Sequence, residues 1–178
     1  MSEGVLSRPV AVADIHRRSD VDVTAGPQER AALAAEYDLL DVLSLQATAT
    51  LSSVDGGVDV SGRVTADIVQ SCVVTLVPVE QHIDEPFSVR FVRAGSPELE
   101  VVMKPHADVM VDPAAPDPPE VLEGPTVDLG AVVEEAFVLA IDPYPRARGA
   151  ALPEEATDGQ VKDSPFAVLA DLKQRKRS

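Results

Sequence analysis

One cysteine, no tryptophan and only 3% aromatic residues are the first limits that this chain sets. A single thiol excludes an internal disulfide and any multi-thiolate metal site built within one chain, and it fits a reducing compartment. Few rings leave the core to Val, Leu, Ile and Ala, and argue against base-stacking platforms. No stretch stays apolar for the ~18 residues that a membrane helix needs. The N-terminus, Met1-Ser-Glu-Gly-Val-Leu-Ser-Arg-Pro-Val10, has no basic region followed by an apolar run. The expectation is a cytoplasmic protein without membrane contact. A phosphate-cradling glycine loop and a nucleophile elbow are also lacking, so the chain reads as non-enzymatic.

What is present begins with charge. Fifteen Lys and Arg against 30 Asp and Glu leave a formal net charge of -15. Such a body repels phosphate backbones and attracts basic proteins, which argues against DNA as a partner. The C-terminus reverses the sign, with Lys173, Arg175, Lys176 and Arg177 placing four positive charges within five positions. At 178 residues and 45% hydrophobic content the chain suits one well-buried core. We read one domain over residues 1–172 and a basic tail over 173–178.

Periodicity divides the chain into elements. Val10 and Val12, then Val21 and Val23, mark two short strands. Gly26-Pro27 opens a helix over about 27–39, with Leu33, Tyr37 and Leu40 at helical spacing. Leu43, Leu45, Ala47, Ala49 and Leu51 alternate with polar residues, and Val58, Val60, Val64, Ala66 and Ile68 do the same after a Ser52–Gly57 turn, giving a long antiparallel hairpin. Gly62 falls on its apolar face, where a missing side chain suggests a bend or bulge. Another strand follows Pro86, and Leu99, Val101 and Met103 suggest a further hairpin arm. Five prolines then predict an exposed, mobile loop over about 112–126. Leu129, Val132, Val133, Ala136, Phe137, Ala140 and Ile141 form a helical stripe over 128–141, with Asp128 as N-cap and Val127 stapled against Val132. Ser164-Pro165 starts a last short helix that docks through Phe166, Leu169 and Leu172. The fold class is α+β: a curled antiparallel sheet, its closure into a barrel left open, with an N-terminal helix and C-terminal helices packed on it.

Three blocks then carry a resemblance. Gly62-Arg-Val-Thr-Ala66 leads into Gln70-Ser-Cys-Val-Val-Thr-Leu-Val-Pro-Val79, which contains Cys72, Thr75, Leu76 and Pro78. Val127-Asp128-Leu129-Gly130 leads to Asp142-Pro143-Tyr144-Pro145-Arg146, and Ser164-Pro-Phe-Ala-Val-Leu-Ala170 follows. In this order the blocks resemble the YceD family of large ribosomal RNA subunit accumulation proteins. The resemblance implies a bacterial factor tied to large-subunit ribosome assembly, with ribosomal RNA or a large-subunit ribosomal protein as its partner and no cofactor. Many relatives carry Cys-x-x-Cys at the first block and further cysteines near the C-terminus. Here Thr75 stands at the second position, so no structural zinc is expected. Val77 replaces a glutamate common among close relatives, and any role of that glutamate does not carry over.

Chemistry-bearing residues have modest readings. Cys72 with His82 would start a Cys-His pair, but a small buried hydrophobe is the better account. His16, His82 and His106 are scattered, and Glu134 with Glu135 reads as a solvated helix face. Arg146 and Arg148, in a proline-rich turn, either meet phosphate or pair with Asp142 or Glu154. Lys173, Arg175, Lys176 and Arg177 are candidate RNA or partner contacts.

Overall fold

The computed structural model describes residues 4–15, 17–97, 99 and 117–151. In chain order these form β1 (Pro9–Ala11), a 3-10 turn (Val12–Asp14), β2 (Ser19–Thr24), α1 (Pro27–Glu36), β3 (Asp41–Val54), β4 (Gly57–Ser71), β5 (Pro78–Arg93), β6 (Glu120–Leu122), β7 (Thr126–Asp128) and α2 (Leu129–Leu139). The main sheet has the order β2-β3-β4-β5-β6, and β1 pairs with β7 in a separate two-stranded sheet. All pairs are antiparallel except β5 with β6. Among the described residues β2 and β6 do not pair with each other. The sheet is therefore open, and closure into a barrel does not occur.

The expected hairpin is the centre of this sheet. Val54 lies opposite Gly57, and Gly56 between them has φ +80, a left-handed conformation that costs little without a Cβ. Leu45, Ala47, Ala49 and Leu51 of β3 and Val58, Val60, Val64, Ala66 and Ile68 of β4 are buried. Their burial follows from the period of two, which sends alternate side chains to one face. α1 and α2 cover that face, while the outer face carries cross-strand polar pairs such as Arg63 with Asp84 and Thr50 with Asp20.

Four expectations about the sheet and its connections need correction. Leu43 is 48% exposed, because the β3/β4 register shifts between Val42 and Ser44. The extra residue of that bulge turns Leu43 outward and puts Val42 in the core. Gly62, by contrast, lies in an unbroken ladder: a Cβ there would sit 2.2 Å from the Thr48 carbonyl oxygen and 2.6 Å from the Phe87 ring. Close approach, not a bulge, is what requires glycine at that point. β5 runs through Pro86 instead of starting after it. β6 pairs only with Phe91–Arg93, so among the described residues Pro86 has a ladder partner on one side alone, where a missing N–H is tolerated. The 112–126 loop is interrupted by two strands, β6 and the start of β7, and Val127 just beyond it is buried. Glu120-Val-Leu122 lies between the prolines and keeps its donors, while the Pro125 carbonyl accepts the Val12 N–H. Residues 112–116, the arm proposed over 98–104 apart from buried Leu99, the 164–172 helix and the 173–178 tail lie outside the described residues.

The N-terminal segment is laced onto α2. Asp128 caps the helix, its Oδ1 accepting the N–H groups of Gly130 at 2.9 Å and Arg8 at 2.7 Å, and its Oδ2 accepting the Ser7 hydroxyl. Glu134 is buried, which corrects the reading of a solvated pair; only Glu135 is exposed. The Glu134 carboxylate accepts the Leu6 N–H at 2.8 Å and the Tyr37 hydroxyl at 2.6 Å, tying the N-terminus and α1 to α2. Burial, and next that carboxylate, push the Tyr37 hydroxyl well above its usual pKa. Arg8 adds a two-pronged contact to Glu29, whose carboxylate also accepts the Gly26 N–H at the start of α1.

Gly130 is the point of closest approach, where a Cβ would lie 2.8 Å from the Arg8 nitrogen and the Leu6 carbonyl. Gly130→Ala therefore overpacks a backbone crossing and should destabilise the fold by about 1–3 kcal/mol. A urea titration checks this, and unchanged stability would mean that the N-terminal segment does not press on α2 as described.

Candidate functional site

The first two sequence blocks meet at one end of the main sheet. After β4 the chain makes a tight turn over residues 72–77 before entering β5. Cys72 organises this turn with three groups: its N–H donates to the Val77 carbonyl at 2.8 Å, its carbonyl accepts the Leu76 N–H at 2.9 Å, and its Sγ accepts the Thr75 N–H at 3.5 Å. The Ser71 hydroxyl donates to the Leu76 carbonyl. Leu76 is thereby held at φ 61, a left-handed conformation disfavoured for a residue with a Cβ.

The segment after α2 is hung on that turn. Val73 N–H donates to the Pro145 carbonyl at 2.9 Å, and Ala147 N–H donates to Cys72 Sγ at 3.3 Å. Two glutamines extend the seam. Gln70 Nε2 donates to the Asp142 carbonyl at 3.0 Å, while Gln81 donates to the Ala140 carbonyl and accepts the Asp142 N–H. These amides satisfy backbone groups that the end of α2 leaves open. Sequence reading missed both glutamines, since an amide in a strand gives no signal of what it will meet. The one available signal was Gln70 at an inward position of the alternating strand.

The geometry sorts the expected motif positions into two sets. Gly62, Asp128, Leu129, Gly130, Cys72 and Pro145 are structural: they are buried, or they serve a cap, a seam or a close crossing. Thr75, Leu76, Pro78, Pro143, Tyr144 and Arg146 are exposed. Leu76 is 76% and Tyr144 71% accessible, and Val73, Val77, Leu40 and Leu43 are also exposed. Leu40 belongs to the same end of the sheet, because its N–H donates to the Val69 carbonyl near the end of β4. Among the described residues, six of the eight large exposed hydrophobic ones therefore gather around one strand end. A concentration of this kind marks an interaction surface more than a scatter of single residues would.

Arg146 and Arg148 border the surface, and both are exposed. Among the described residues neither guanidinium forms an ion pair, so of the two readings weighed for these arginines a pairing with Asp142 is not made; Asp142 instead accepts the Tyr144 N–H. His82 is exposed on the outer face with its Nδ1 2.7 Å from Asp67, away from the buried thiol, and no Cys-His pair forms. Glu154, His16, His106, Lys173, Arg175, Lys176 and Arg177 lie outside the described residues. Among the described residues no group of three His, Cys, Asp or Glu side chains is placed to hold a metal ion. No helix among them is long and apolar enough to cross a membrane.

Fold and surface together define an α+β protein that presents a rigid, apolar, arginine-bordered strand end. Residues 60–173 match the family model described as Large ribosomal RNA subunit accumulation protein YceD, and the chain belongs to that family. No curated protein and no solved structure matches it.

The thiol supplies a test of the seam. The Ala147 N–H, then the hydrogen bond with Thr75, lower the Cys72 pKa to about 6, against a smaller opposing effect of burial. A free thiol titrates near 8.5. The folded state thus favours the thiolate; the resulting stabilisation is complete above the unfolded pKa and lost as pH falls through about 6. The urea midpoint of the native chain should rise relative to that of Cys72→Ala between pH 6 and 9. A flat difference would show that the seam does not hold a thiolate. Iodoacetamide should nevertheless react slowly until the chain unfolds, because Cys72 is wholly buried.

Proposed function

We propose that this chain is a non-catalytic ribosome-assembly factor of the bacterial cytoplasm that supports accumulation of large-subunit ribosomal RNA. The family match over residues 60–173 carries this reading, since the family's description names that RNA. The exposed half of the motif positions supports it. Leu76, Tyr144 and Arg146 contribute nothing visible to the core, and a strained leucine held out in solvent is more readily understood as a contact than as a packing element. A net charge of -15 suits attraction of a basic large-subunit ribosomal protein to the body, while Arg146, Arg148 and the tail from Lys173 to Arg177 supply cations for RNA phosphates.

A second reading rests on the same acidity. The protein then acts as an adaptor or chaperone for a basic ribosomal protein without touching RNA. Deleting residues 173–178 separates the two, because RNA contact predicts loss of function and the adaptor predicts none.

The contact surface has its own test. Leu76→Gly removes the exposed side chain and relieves its positive φ, so the fold should be at least as stable as the native chain. In a strain lacking the native protein, this variant should fail to restore the ratio of large- to small-subunit ribosomal RNA. Full restoration would remove the strand end from the proposal. A normal ratio and a normal ribosome gradient in the deletion strain itself would overturn the ribosomal reading.

A further inference from the structure

Among the described residues, the two large exposed hydrophobic ones that do not belong to the strand end, Val121 and Leu139, line a groove of about 980 Å³ between β5, β6 and α2. Its lining includes apolar Val89, Val132, Ala136 and Leu139 together with Glu85, Asp117, Glu120 and Glu135. Among these carboxylates, Glu135 lies near enough to Glu120 to act on it. Desolvation, and next the proximity of Glu135, raise the Glu120 carboxyl above its ordinary range. A cation brought to this lining would relieve that cost.

The sequence contains a segment with the complementary chemistry. Phe166, Leu169 and Leu172 form an apolar stripe at helical spacing, followed directly by Lys173, Arg175, Lys176 and Arg177. As a helix, residues 164–177 would be about 21 Å long, with their cations at the C-terminal end that the helix dipole favours. The twelve residues between Ala151 and Ser164 span up to about 40 Å when extended. That reach exceeds the roughly 16 Å length of α2, the helix that forms one wall. Charge favours the groove over the strand end, because the groove's lining carries Glu85, Asp117, Glu120 and Glu135 without a Lys or Arg, whereas the strand end mixes exposed Asp41, Glu80 and Asp142 with Arg146 and Arg148. We propose that the acidic groove between β5 and α2 is the intramolecular docking site of this chain's own basic C-terminal segment, residues 164–177. The proposal does not depend on the ribosomal reading.

Carbodiimide cross-linking of the purified full-length chain at low salt, mapped by mass spectrometry on a mixture of isotopically light and heavy protein, tests it. Links from Lys173 or Lys176 to Glu85, Asp117, Glu120 or Glu135 should dominate and join atoms of one chain. Leu139→Ser removes an apolar contact without adding charge, and it changes a side chain that is 80% exposed, so the fold should be kept. It should cut these links by about tenfold, the loss expected for unburying part of a leucine side chain. Leu169→Asp should do the same from the other partner. Mixed light-heavy links would assign the groove to a second copy. Links spread evenly to Asp20 and Asp22 on the outer face, or an absence of links, would leave the groove to another partner. Any of these three results overturns the proposal, as does a link yield indifferent to both variants.

Discussion

The backbone contact between Val73 N–H and the Pro145 carbonyl, reinforced by the Ala147 N–H on the Cys72 sulfur, holds together parts of the chain more than 70 residues apart. After α2 ends, the chain crosses the end of the sheet without joining it as a strand, so its polar groups need other partners. The 72–77 turn and the amides of Gln70 and Gln81 provide them. The orientation of α2 over β4 and β5 depends on this seam at one terminus and on the Asp128 and Glu134 contacts at the other. The seam also holds Tyr144 and Arg146 beside Leu76. A surface ordered before it meets a partner loses less entropy on binding than one that must be ordered by the encounter.

Not all of the acidity is a free surface field. Asp128 and Glu134 accept hydrogen bonds from the N-terminal segment, and Glu29 is occupied by Arg8 and the Gly26 N–H. On the outer face Asp20, Asp67 and Asp84 meet Thr50, His82 and Arg63. These exposed pairs contribute little to stability individually, but they locally blunt the sheet's negative face. The carboxylates at the β5/α2 groove differ, because they share its lining with apolar side chains, and Glu120 feels both burial and the proximity of Glu135. The groove thus joins negative charge to exposed apolar surface, which is the combination that a basic amphipathic ligand needs.

The sequence pattern made the long hairpin, both helices and the Asp128 cap legible, because each rests on local periodicity or on a cap that acts within one turn. Local patterns fail where distant backbone decides. Leu43 looked apolar and in phase, but one inserted residue reversed its face. Glu134 looked solvated because its partners, Leu6 and Tyr37, are 128 and 97 residues away. Gly62 was correctly placed on the inner face but given the wrong reason, since the Phe87 ring that crosses it comes from another strand. The contact surface was half legible: the motif blocks named Leu76, Tyr144 and Arg146, while nothing in their spacing showed that Leu40 and Leu43 would join them.

The described residues thus present two exposed apolar surfaces, one with a wholly acidic border and one where Arg146 and Arg148 stand among acids, and this difference constrains any binding order. A cationic segment seated in the groove is withheld from phosphate, because the same ammonium and guanidinium groups cannot be neutralised by carboxylates and by RNA together. A basic ligand that occupies the groove more tightly than the segment does would release it. By thermodynamic reciprocity, whatever captures the released segment must strengthen the ligand's hold on the groove by the same factor. The strand end stands outside this competition, since the seam holds the backbone at Pro145 and Ala147 to the 72–77 turn without involving the groove. Occupancy of one surface can therefore set the availability of the tail without rearranging the other, and neither helix nor sheet has to move.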